Sequence, residues 1–364
     1  MIPQSFNSKC FVYLFFFLLS FGLSAQIPSG YYKSAEGKNM AELKTALYAI
    51  IKQHTVLEYY SSSKSFETTD WHPATTDEPG GYFWDMYSNN HRTIWTGMNR
   101  EHNFPKSWWS SAPETTIAYT DLHNLYPSDV TANLAKENFP LGEVIGIPTS
   151  PSNGVTKVGK GSYPNYNGGV FEPADEYKGD FARNYMYVVT CYEDYAPYWR
   201  STGTQTMLLG GSTYPVFTSF AIKLLLEWSR QDPVSQKEIT RNNAVYNLQH
   251  NRNPFIDYPE LSEFIWGKYM GDKWVAGAYL PEDELGFRLK QSVVLDSLLA
   301  TNVYHPELSI YFVKNMNGVV VKTGRFSANG DFNVSELENG MYILEVYSAG
   351  KKRYVSKFII CHKS

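Results

Sequence analysis

The chain has 364 residues, of which 43% are hydrophobic and 16% aromatic, and its formal net charge at pH 7 is -4. A chain of this length and apolar content can bury a sizeable core and form more than one domain, which excludes an intrinsically disordered protein. The acidic balance argues against broad coating of nucleic acid, because nonspecific affinity comes mainly from neutralised phosphates.

The first 25 residues have the features of a secretory signal peptide. One cation, Lys9, precedes a mostly apolar run at residues 11–23, and Ser24-Ala25 has the small residues of a cleavage site. The run is too short to span a bilayer comfortably, so a signal peptide is favoured over an uncleaved anchor. We therefore expect no stable membrane span after signal cleavage.

Helical and extended patterns alternate through the next hundred residues. The apolar spacing at residues 40–51 predicts a helix, with Asn39 and Glu42 as its cap. Residues 100–103 look extended, and residues 128–137, which follow Pro127, have the composition of a short helix. A strand, a loop and a helix are therefore expected to meet near one point.

The middle of the chain is predicted to begin with a loop and continue with helices. Residues 142–169 contain seven Gly and three Pro, which favours a long irregular excursion. Helices are expected near residues 180–192 and 215–230, and the second is apolar nearly all round and should be the buried one. Ser235 and Glu238 form an S-x-x-E capping box that opens a third helix.

The last sixty residues have the pattern of a small all-β module. Five β-rich runs are separated by Asn-Gly and Ala-Gly turns, and no catalytic type of titratable residue is clustered among them. We assign no chemistry to this module. Outside the leader, the cysteines are Cys191 and Cys361, which do not make a disulfide framework, and we expect both thiols to be free.

The residue types that phosphodiester hydrolysis needs occur in one region of the chain. A neutral imidazole is a suitable base near pH 7, and a carboxylate with an amide carbonyl suits Mg²⁺. Glu101, His102 and Asn133 supply these groups, and Asn124 is placed to fix the intervening loop by bonding its backbone. Adjacent strand residues point to opposite faces, so we expect the strand to fray or bulge before Pro105.

A second hypothesis for the same region is the active site of a zinc hydrolase. Its ligands would be His102, His123 and Glu101, but it gives Asn133 no role. A structural His123, hydrogen-bonded to Asp121, is the alternative to a metal ligand at that position.

Several sequence blocks, in their order, resemble the bacterial endonuclease I family of secreted or periplasmic nucleases. The blocks are REHNFPKS at 100–107, DLHNLYP at 121–127, Asn133 with KENF at 136–139, VFEP at 170–173, KGD at 178–180 and NRNPFID at 251–257. The resemblance covers roughly residues 27–285.

This resemblance implies an α+β fold, in which mixed helices and short strands surround a ββα-metal nuclease motif, followed by the small all-β module. It implies an endonuclease that cleaves DNA, and often RNA, with little sequence preference and leaves 5′-phosphate ends. Glu101 and Asn133 would hold one Mg²⁺, with Mn²⁺ or Ca²⁺ as alternatives, and His102 would be the general base. Three residues would support the site: Asn124, Asp121 and His123.

The chain departs from the family at one position. The family uses an arginine between the catalytic histidine and the D-x-H-N block to grip the scissile phosphate, whereas Lys106 is the only cation between His102 and Asp121. Arg92, Arg100 and Arg183 are possible substitutes. The candidates for phosphate contact are Lys106, Lys136, Lys178, Arg183, Arg241 and Arg252, with ordinary salt bridges as the alternative. A catalytically inactive surface protein that binds nucleic acid or glycans is the alternative function.

The C-terminal module resembles the sorting domain of the type IX secretion system. We expect a signal peptide at 1–25, an endonuclease I-like nuclease domain at 26–287, a linker at 288–302 and a β-rich sorting-type domain at 303–364. The expected partners are the type IX secretion machinery and a DNA or RNA substrate. The expected location is secreted or on the cell surface.

Overall fold

The computed structural model describes residues 27–276, apart from 77, 110–111, 153–154, 164–165, 167 and 200–202, and then 289, 291–295, 298–301, 309–327, 329–348 and 352–362. The expected signal peptide and part of the expected linker lie outside the described residues. Within the described part, no helix combines the length and apolar character that a membrane crossing requires. The chain divides into two compact units, one ending at Lys273 and the other beginning at Trp274.

The first unit combines helices with short strands. Its helices are α1 (Met40–Ile51), α2 (Ser62–Thr69), α3 (Val130–Lys136), α4 (Lys178–Cys191), α5 (Ser219–Gln231), α6 (Gln236–Gln249), α7 (Pro254–Asp257) and α8 (Leu261–Trp266). Its strands are β1 (Trp71–His72), β2 (Tyr82–Phe83), β3 (Met98–His102), β4 (Leu125–Asp129), β5 (Ser150–Ser152), β6 (Thr156–Lys160) and β7 (Gly169–Glu172). The strands pair antiparallel as β1-β2, β3-β4 and β5-β6-β7. The predicted α+β class is confirmed.

The helix caps agree with the sequence in one case and not in the other. Ser235 and Glu238 form the predicted capping box at the start of α6, with both reciprocal hydrogen bonds present. Helix α1 begins as predicted, but the side chain of Asn39 makes no capping hydrogen bond. Asn39 therefore occupies the predicted N-cap position but does not make the side-chain bond of a cap, and α1 is held by its buried face of Leu43, Leu47 and Ile51.

Helix α4 is buried on every side, whereas α5 is not. All fourteen residues of α4 are buried, whereas α5 buries one face and exposes Lys223 and Glu227 on another. The prediction for α5 was wrong because these charged positions interrupt its apolar surface. The free thiol of Cys191 lies at the buried end of α4, and Cys361 is exposed and also free, as predicted.

Strands β3 and β4 and helix α3 form a continuous ββα unit. Strand β3 pairs with β4 from Met98 opposite Asp129 to His102 opposite Leu125. Asp129 then ends β4 and caps α3, because its carboxylate accepts from Thr131 N and Ala132 N. Beneath the unit lies an apolar cluster that consists of Phe66, Phe83, Met98, Leu122, Leu125 and Val245.

Residues 142–169 do not form the predicted irregular excursion. They include β5 and β6, which join β7 in a three-stranded antiparallel sheet. A Cβ atom at Gly159 would lie 2.6 Å from Val144 Cγ1, and one at Gly161 would lie 2.5 Å from Val170 Cγ1. These glycines permit close packing inside a sheet. From the glycine and proline content alone, we had interpreted the segment as a loop.

The second unit is an all-β module, as predicted. Its strands are β8 (Val293–Val294), β9 (Leu298–Ala300), β10 (Ser309–Asn315), β11 (Val320–Arg325), β12 (Asp331–Asn333), β13 (Gly340–Ser348) and β14 (Lys352–Ile360). Five strands form a sheet in the order β11-β10-β13-β14-β8, and β12 pairs with β9. Its core includes Tyr311, Phe332, Leu344 and Phe358.

Candidate active site

A cavity of about 330 Å³ lies along strand β3 and brings together much of the predicted constellation. Glu101, His102, Lys106 and Asn133 line it, together with Glu137 at the end of α3. Among the described residues, strand β3 pairs only with β4 in a two-stranded sheet, so its other edge has no strand partner there and borders the cavity.

The frayed or bulged strand that we expected is not present, since the β3-β4 register is regular through His102. Glu101 contacts α3, and His102 contacts the segment around Tyr119. The two side chains therefore leave opposite faces of β3, as strand alternation requires, and both reach a cavity at its free edge.

Glu101 is buried and hydrogen-bonded through both carboxylate oxygens. The Lys136 ammonium donates to Oε1 at 2.7 Å, and Asn133 Nδ2 donates to Oε2 at 2.6 Å. Both donors belong to α3, four and seven residues after the Asp129 cap. Burial raises the pKa of the Glu101 carboxyl, against the opposing effect of Lys136.

The contacts of His102 fix the tautomer of its imidazole. Nε2 lies 2.8 Å from the carbonyl oxygen of Tyr119 and must donate to it, because a carbonyl can only accept. The neutral ring therefore keeps Nδ1 as its acceptor. The ring is nearly parallel to that of Tyr59, at 6.2 Å between centres, and perpendicular to Trp109 at 5.5 Å. Burial, with the charges of Lys106 and Lys136, lowers the pKa of His102 to about 3, so the ring is neutral at pH 7.

Asn124 ties the loop that follows β3. Its Oδ1 accepts from Phe104 N at 2.8 Å, its Nδ2 donates to Phe104 O at 3.1 Å, and its own carbonyl accepts from Asn103 N. These bonds hold the backbone directly after His102, and Asn124 itself does not line the cavity.

Asp121 and His123 lie in a buried polar network outside the cavity. The Asp121 carboxylate accepts from the hydroxyls of Tyr187 and Tyr192, from Gln249 Nε2 and from His123 N. Burial alone would raise the pKa of Asp121, but nearby histidines and these donors hold it below its ordinary value. The network anchors the D-x-H-N block against α4 and α6.

The imidazole of His123 is not positioned as a metal ligand. Its Nε2 pairs with the carbonyl of Asn251 at 3.2 Å, and its contact with Asp121 is made by the backbone N–H. Among the described residues, no three His, Cys, Asp or Glu side chains assemble a metal site. The zinc arrangement of His102, His123 and Glu101 is therefore not formed.

Three arginines considered for phosphate contact are at most 4% exposed and form internal ion pairs. Arg183 pairs with Glu238, Arg241 with Asp70 and Arg252 with Asp257. Arg241 also donates to the carbonyls of Leu122 and Leu125, which hold the approach to β4. These contacts match the salt-bridge alternative, and none of the three lines the cavity.

Lysines and the remaining arginines differ in how firmly they are held. Lys178 pairs with Asp175 at 2.8 Å, and Arg92 pairs with Asp129 at 2.6 Å. Arg100 lines the cavity, but its guanidinium donates to Ser62 Oγ and Tyr60 O. Lys106 is exposed, lines the cavity and lies 5.4 Å from the centre of the Tyr119 ring.

Sequence reasoning gave no role to several polar residues of the cavity wall, among them Ser107, Glu137 and Asn138. Asn138 Nδ2 donates to Ser107 Oγ at 3.3 Å and links the end of α3 to the loop after β3. Glu137 and Asn138 belong to the KENF block, and Ser107 belongs to the REHNFPKS block. Their position inside these blocks is the sequence signal that could have identified them as cavity residues.

A neutral imidazole and a carboxylate paired with an amide, carried by one ββα unit beside the exposed cation of Lys106, form a candidate nuclease site. Residues 39–260 match the model of a family described as Endonuclease I. The chain belongs to the endonuclease I family, which confirms the predicted enzyme class. Residues 294–361 match the model of a secretion system C-terminal sorting domain, and the protein is secreted or displayed on the cell surface, as predicted.

Three relatives have names that fit this family. The chain is 35% identical over 242 residues to an extracellular ribonuclease of Bacillus amyloliquefaciens, which covers 65% of this chain and 78% of the relative. It is 35% identical over 245 residues to an extracellular ribonuclease of Bacillus subtilis (strain 168), with the same two shares. It is 28% identical over 138 residues to Endonuclease-1 of Buchnera aphidicola subsp. Baizongia pistaciae (strain Bp), or 38% of this chain and 46% of the relative.

Proposed function

We propose that the protein is an exported endonuclease that hydrolyses phosphodiester bonds of DNA and RNA with one Mg²⁺ and His102 as the general base. The observation that carries this proposal is the hydrogen bond from His102 Nε2 to Tyr119 O, which leaves Nδ1 as a neutral acceptor beside Glu101 and Asn133. Both substrates are proposed because the relatives are named as a ribonuclease and as an endonuclease.

The side chains of Glu101 and Asn133 fit a hard divalent cation. The amide end of Asn133 lies 2.6 Å from Glu101 Oε2. A half-turn of the amide exchanges Nδ2 and Oδ1, so one carboxylate oxygen and one amide oxygen can serve the same ion. Two oxygen ligands suit Mg²⁺, which retains several waters, with Mn²⁺ or Ca²⁺ as substitutes. When bound, the cation would supply positive charge for the phosphate and the departing oxygen.

The residues of this chain supply the proton transfer and the orientation. His102 Nδ1 takes one proton of a water molecule whose oxygen bonds to phosphorus, while the bond from phosphorus to the 3′ oxygen breaks. The 3′ oxygen takes up a proton from solvent, and the 5′ side keeps the phosphate. Tyr119 O holds the Nε2 proton and thereby stabilises the imidazolium. Asn124 holds the backbone that fixes the ring.

Lys106 is the cation that we propose for contact with the scissile phosphate. It lines the cavity and is exposed, whereas Arg100 is held by Ser62 and Lys136 by Glu101. A lysine presents a point charge and not a planar fork, so the phosphate would be held with less orientation than by an arginine. Lys106 would therefore supply the positive charge of the absent family arginine, but not its two-point contact with the phosphate.

The export part of the proposal concerns the two ends of the chain. We propose a cleaved signal peptide at 1–25, a nuclease domain at 26–287, a linker at 288–302 and a sorting domain at 303–364 read by type IX secretion machinery. The family match at 294–361 and the separate β unit support a sorting domain, and both begin before residue 303, because both include β9.

The test of the function is cleavage of supercoiled plasmid and of a structured RNA by residues 26–364, with Mg²⁺ and with EDTA. We expect nicking and degradation with Mg²⁺ and none with EDTA. His102→Ala should lose about 100-fold to 10,000-fold in rate, the range for general acid-base catalysis, while it still binds an oligonucleotide. Cleavage at the normal rate by His102→Ala would remove its role as the base. Binding without cleavage by the unaltered, folded protein would instead indicate an inactive nucleic-acid-binding protein.

A further inference from the structure

The carboxylate of Glu101 already has a charged partner inside the protein. Lys136 is fully buried, and its Nζ lies 2.7 Å from Glu101 Oε1. The second oxygen of Glu101 accepts from Asn133 at 2.6 Å. The charge of the one carboxylate among the proposed cation ligands is thus cancelled by a lysine.

The cavity wall, counted together with the buried lysine that pairs with it, carries more positive than negative charge. Glu101 and Glu137 contribute two carboxylates, and Arg100 and Lys106 contribute two cations. Lys136 adds a third cation through its ion pair with Glu101, which makes the net charge +1 with the imidazole neutral. Such a site attracts a phosphate and opposes the entry of a free divalent cation.

We propose that Lys136 keeps the affinity for a free divalent cation low, so that the cation and the substrate phosphate enter the site together. This inference rests on the proposed function, because it takes Glu101 and Asn133 as the cation ligands. With Lys136 present, the two proposed ligands, Glu101 and Asn133, carry no net charge together with the lysine. The anionic oxygens of a bound phosphodiester then supply the negative charge that a divalent cation needs. Linkage is reciprocal, so nucleic acid raises cation affinity by the factor by which the cation raises nucleic-acid affinity.

The linkage is measured in the His102→Ala variant of the full mature chain, so that the substrate is not consumed. Mn²⁺ is the probe, and free Mn²⁺ is followed by electron paramagnetic resonance with and without a single-stranded oligothymidylate. We expect the oligonucleotide to raise Mn²⁺ affinity at least about fivefold, the lower end of usual coupling between sites. A second variant with Glu101→Gln added measures the Mn²⁺ that the oligonucleotide holds by itself.

Lys136→Met, in the same His102→Ala background, tests the lysine. The Lys136 ammonium lies 5.8 Å from the centre of the Phe171 ring. Methionine removes this charge but keeps an apolar side chain near the ring. We expect Mn²⁺ affinity without oligonucleotide to rise at least about fivefold, and the effect of the oligonucleotide to shrink. Lys136→Gln, which keeps a neutral donor, gives the same comparison if the methionine variant does not fold.

Lys44→Met is the matched control. Lys44 is also fully buried, and its Nζ lies 2.7 Å from Glu193 Oε2 in a pair outside the cavity. We expect this variant to bind Mn²⁺ like its parent, which separates the effect of Lys136 from the loss of any buried ion pair.

Three outcomes would contradict the inference, and they differ in what else they contradict. Equal Mn²⁺ affinity with and without oligonucleotide would overturn the linkage while leaving the cation site intact. Linkage that is unchanged in both Lys136 variants would overturn the role of Lys136 alone. No Mn²⁺ uptake beyond that of the Glu101→Gln variant, under either condition, would overturn the proposed cation site and with it the proposed function.

Discussion

The two nitrogen atoms of His102 differ in their contacts, and the difference depends on a single backbone carbonyl. Tyr119 O accepts the Nε2 proton, so the lone pair that can take up a proton is on Nδ1. Three aromatic rings, those of Tyr59, Trp109 and Tyr119, pack around the imidazole and exclude water from most of its surface. The sequence identified the imidazole, but neither the carbonyl nor the rings can be recognised from its neighbours in the chain.

Lys106 provides the sharpest prediction at the scale of single residues. A charge-assisted hydrogen bond to phosphate contributes about 1.5–3 kcal/mol, so Lys106→Met should lower kcat/KM by roughly 10-fold to 100-fold. Lys106→Arg should retain activity or increase it, because a guanidinium supplies the same charge with a planar fork. The measurement is initial-rate cleavage of a fluorescent oligonucleotide at several substrate concentrations.

Lys157→Met is the control for that experiment. Lys157 pairs with Glu172 at 2.9 Å and does not line the cavity, so its loss should leave kcat/KM within about twofold of the parent, as is usual for an exposed ion pair. Equal loss in both methionine variants would mean that overall charge, and not a local contact of Lys106, sets the rate.

At the scale of elements, the sequence predicted the unit that carries the site better than it predicted the surroundings. Strand β3 and helix α3 follow from an extended run, a proline and a short helical composition. The free edge of β3 explains why Glu101 and His102 share one cavity without a bulge, and an unpaired edge is a property of the whole sheet.

The arginines show a second limit of sequence reasoning. Arg183 and Arg241 have partners 55 and 171 residues away in the chain. The positions of these arginines in the helical pattern therefore do not show whether the side chain contacts a phosphate or a buried carboxylate. Only the tertiary fold, which brings Glu238 and Asp70 to them, separates the two roles.

Asn124 gives a prediction for the loop that joins β3 to the rest of the unit. Asn124→Ala removes two hydrogen bonds to buried backbone groups of Phe104, and each unsatisfied group costs about 1–3 kcal/mol. We expect the free energy of unfolding to fall by roughly 2–4 kcal/mol, measured by urea denaturation. Cleavage should also fall at temperatures where the variant remains folded, since His102 lies two residues before Phe104.

Ser107→Ala is the comparison for Asn124→Ala. Ser107 accepts one exposed hydrogen bond from Asn138 at 3.3 Å, and its removal should cost less than about 0.5 kcal/mol. Similar unfolding free energies for the two variants would contradict the tethering role of Asn124.

At the scale of the whole molecule, charge is distributed unevenly. The chain is acidic overall, at -4, while the candidate cavity, counted with the buried Lys136 that pairs with Glu101, has a net charge of +1. Buried ion pairs and the Asp121 network hold the helices of the first unit together, and they make that unit sensitive to pH. The β unit has an apolar core, which the sequence predicted from its alternating strands.

The pH dependence of stability should reflect His123. Its imidazole is buried, and burial, with the charge of Arg241 opposing the attraction of Asp121, lowers its pKa from 6.5 to about 4. The unfolded chain therefore binds the proton at higher pH than the folded chain does. The stability from this group is complete above pH 6.5 and is lost as the pH falls through about 4, by about 3 kcal/mol in all.

His123→Gln tests that dependence, because glutamine can still donate to Asn251 O and does not titrate. We expect the variant to lose some stability at pH 7 and to show a shallower decline between pH 6.5 and 4 than the parent, in urea unfolding at a series of pH values. Burial raises the pKa of Asp85 to about 6 and that of Glu238 to about 7, and both groups titrate in the parent and in the variant. Their contributions therefore cancel when the stability curve of the variant is subtracted from that of the parent. Parallel curves would mean that folding does not lower the pKa of His123. That result would also contradict the enclosed position of the imidazole against Asn251 O, because burial would then not disfavour its charged form.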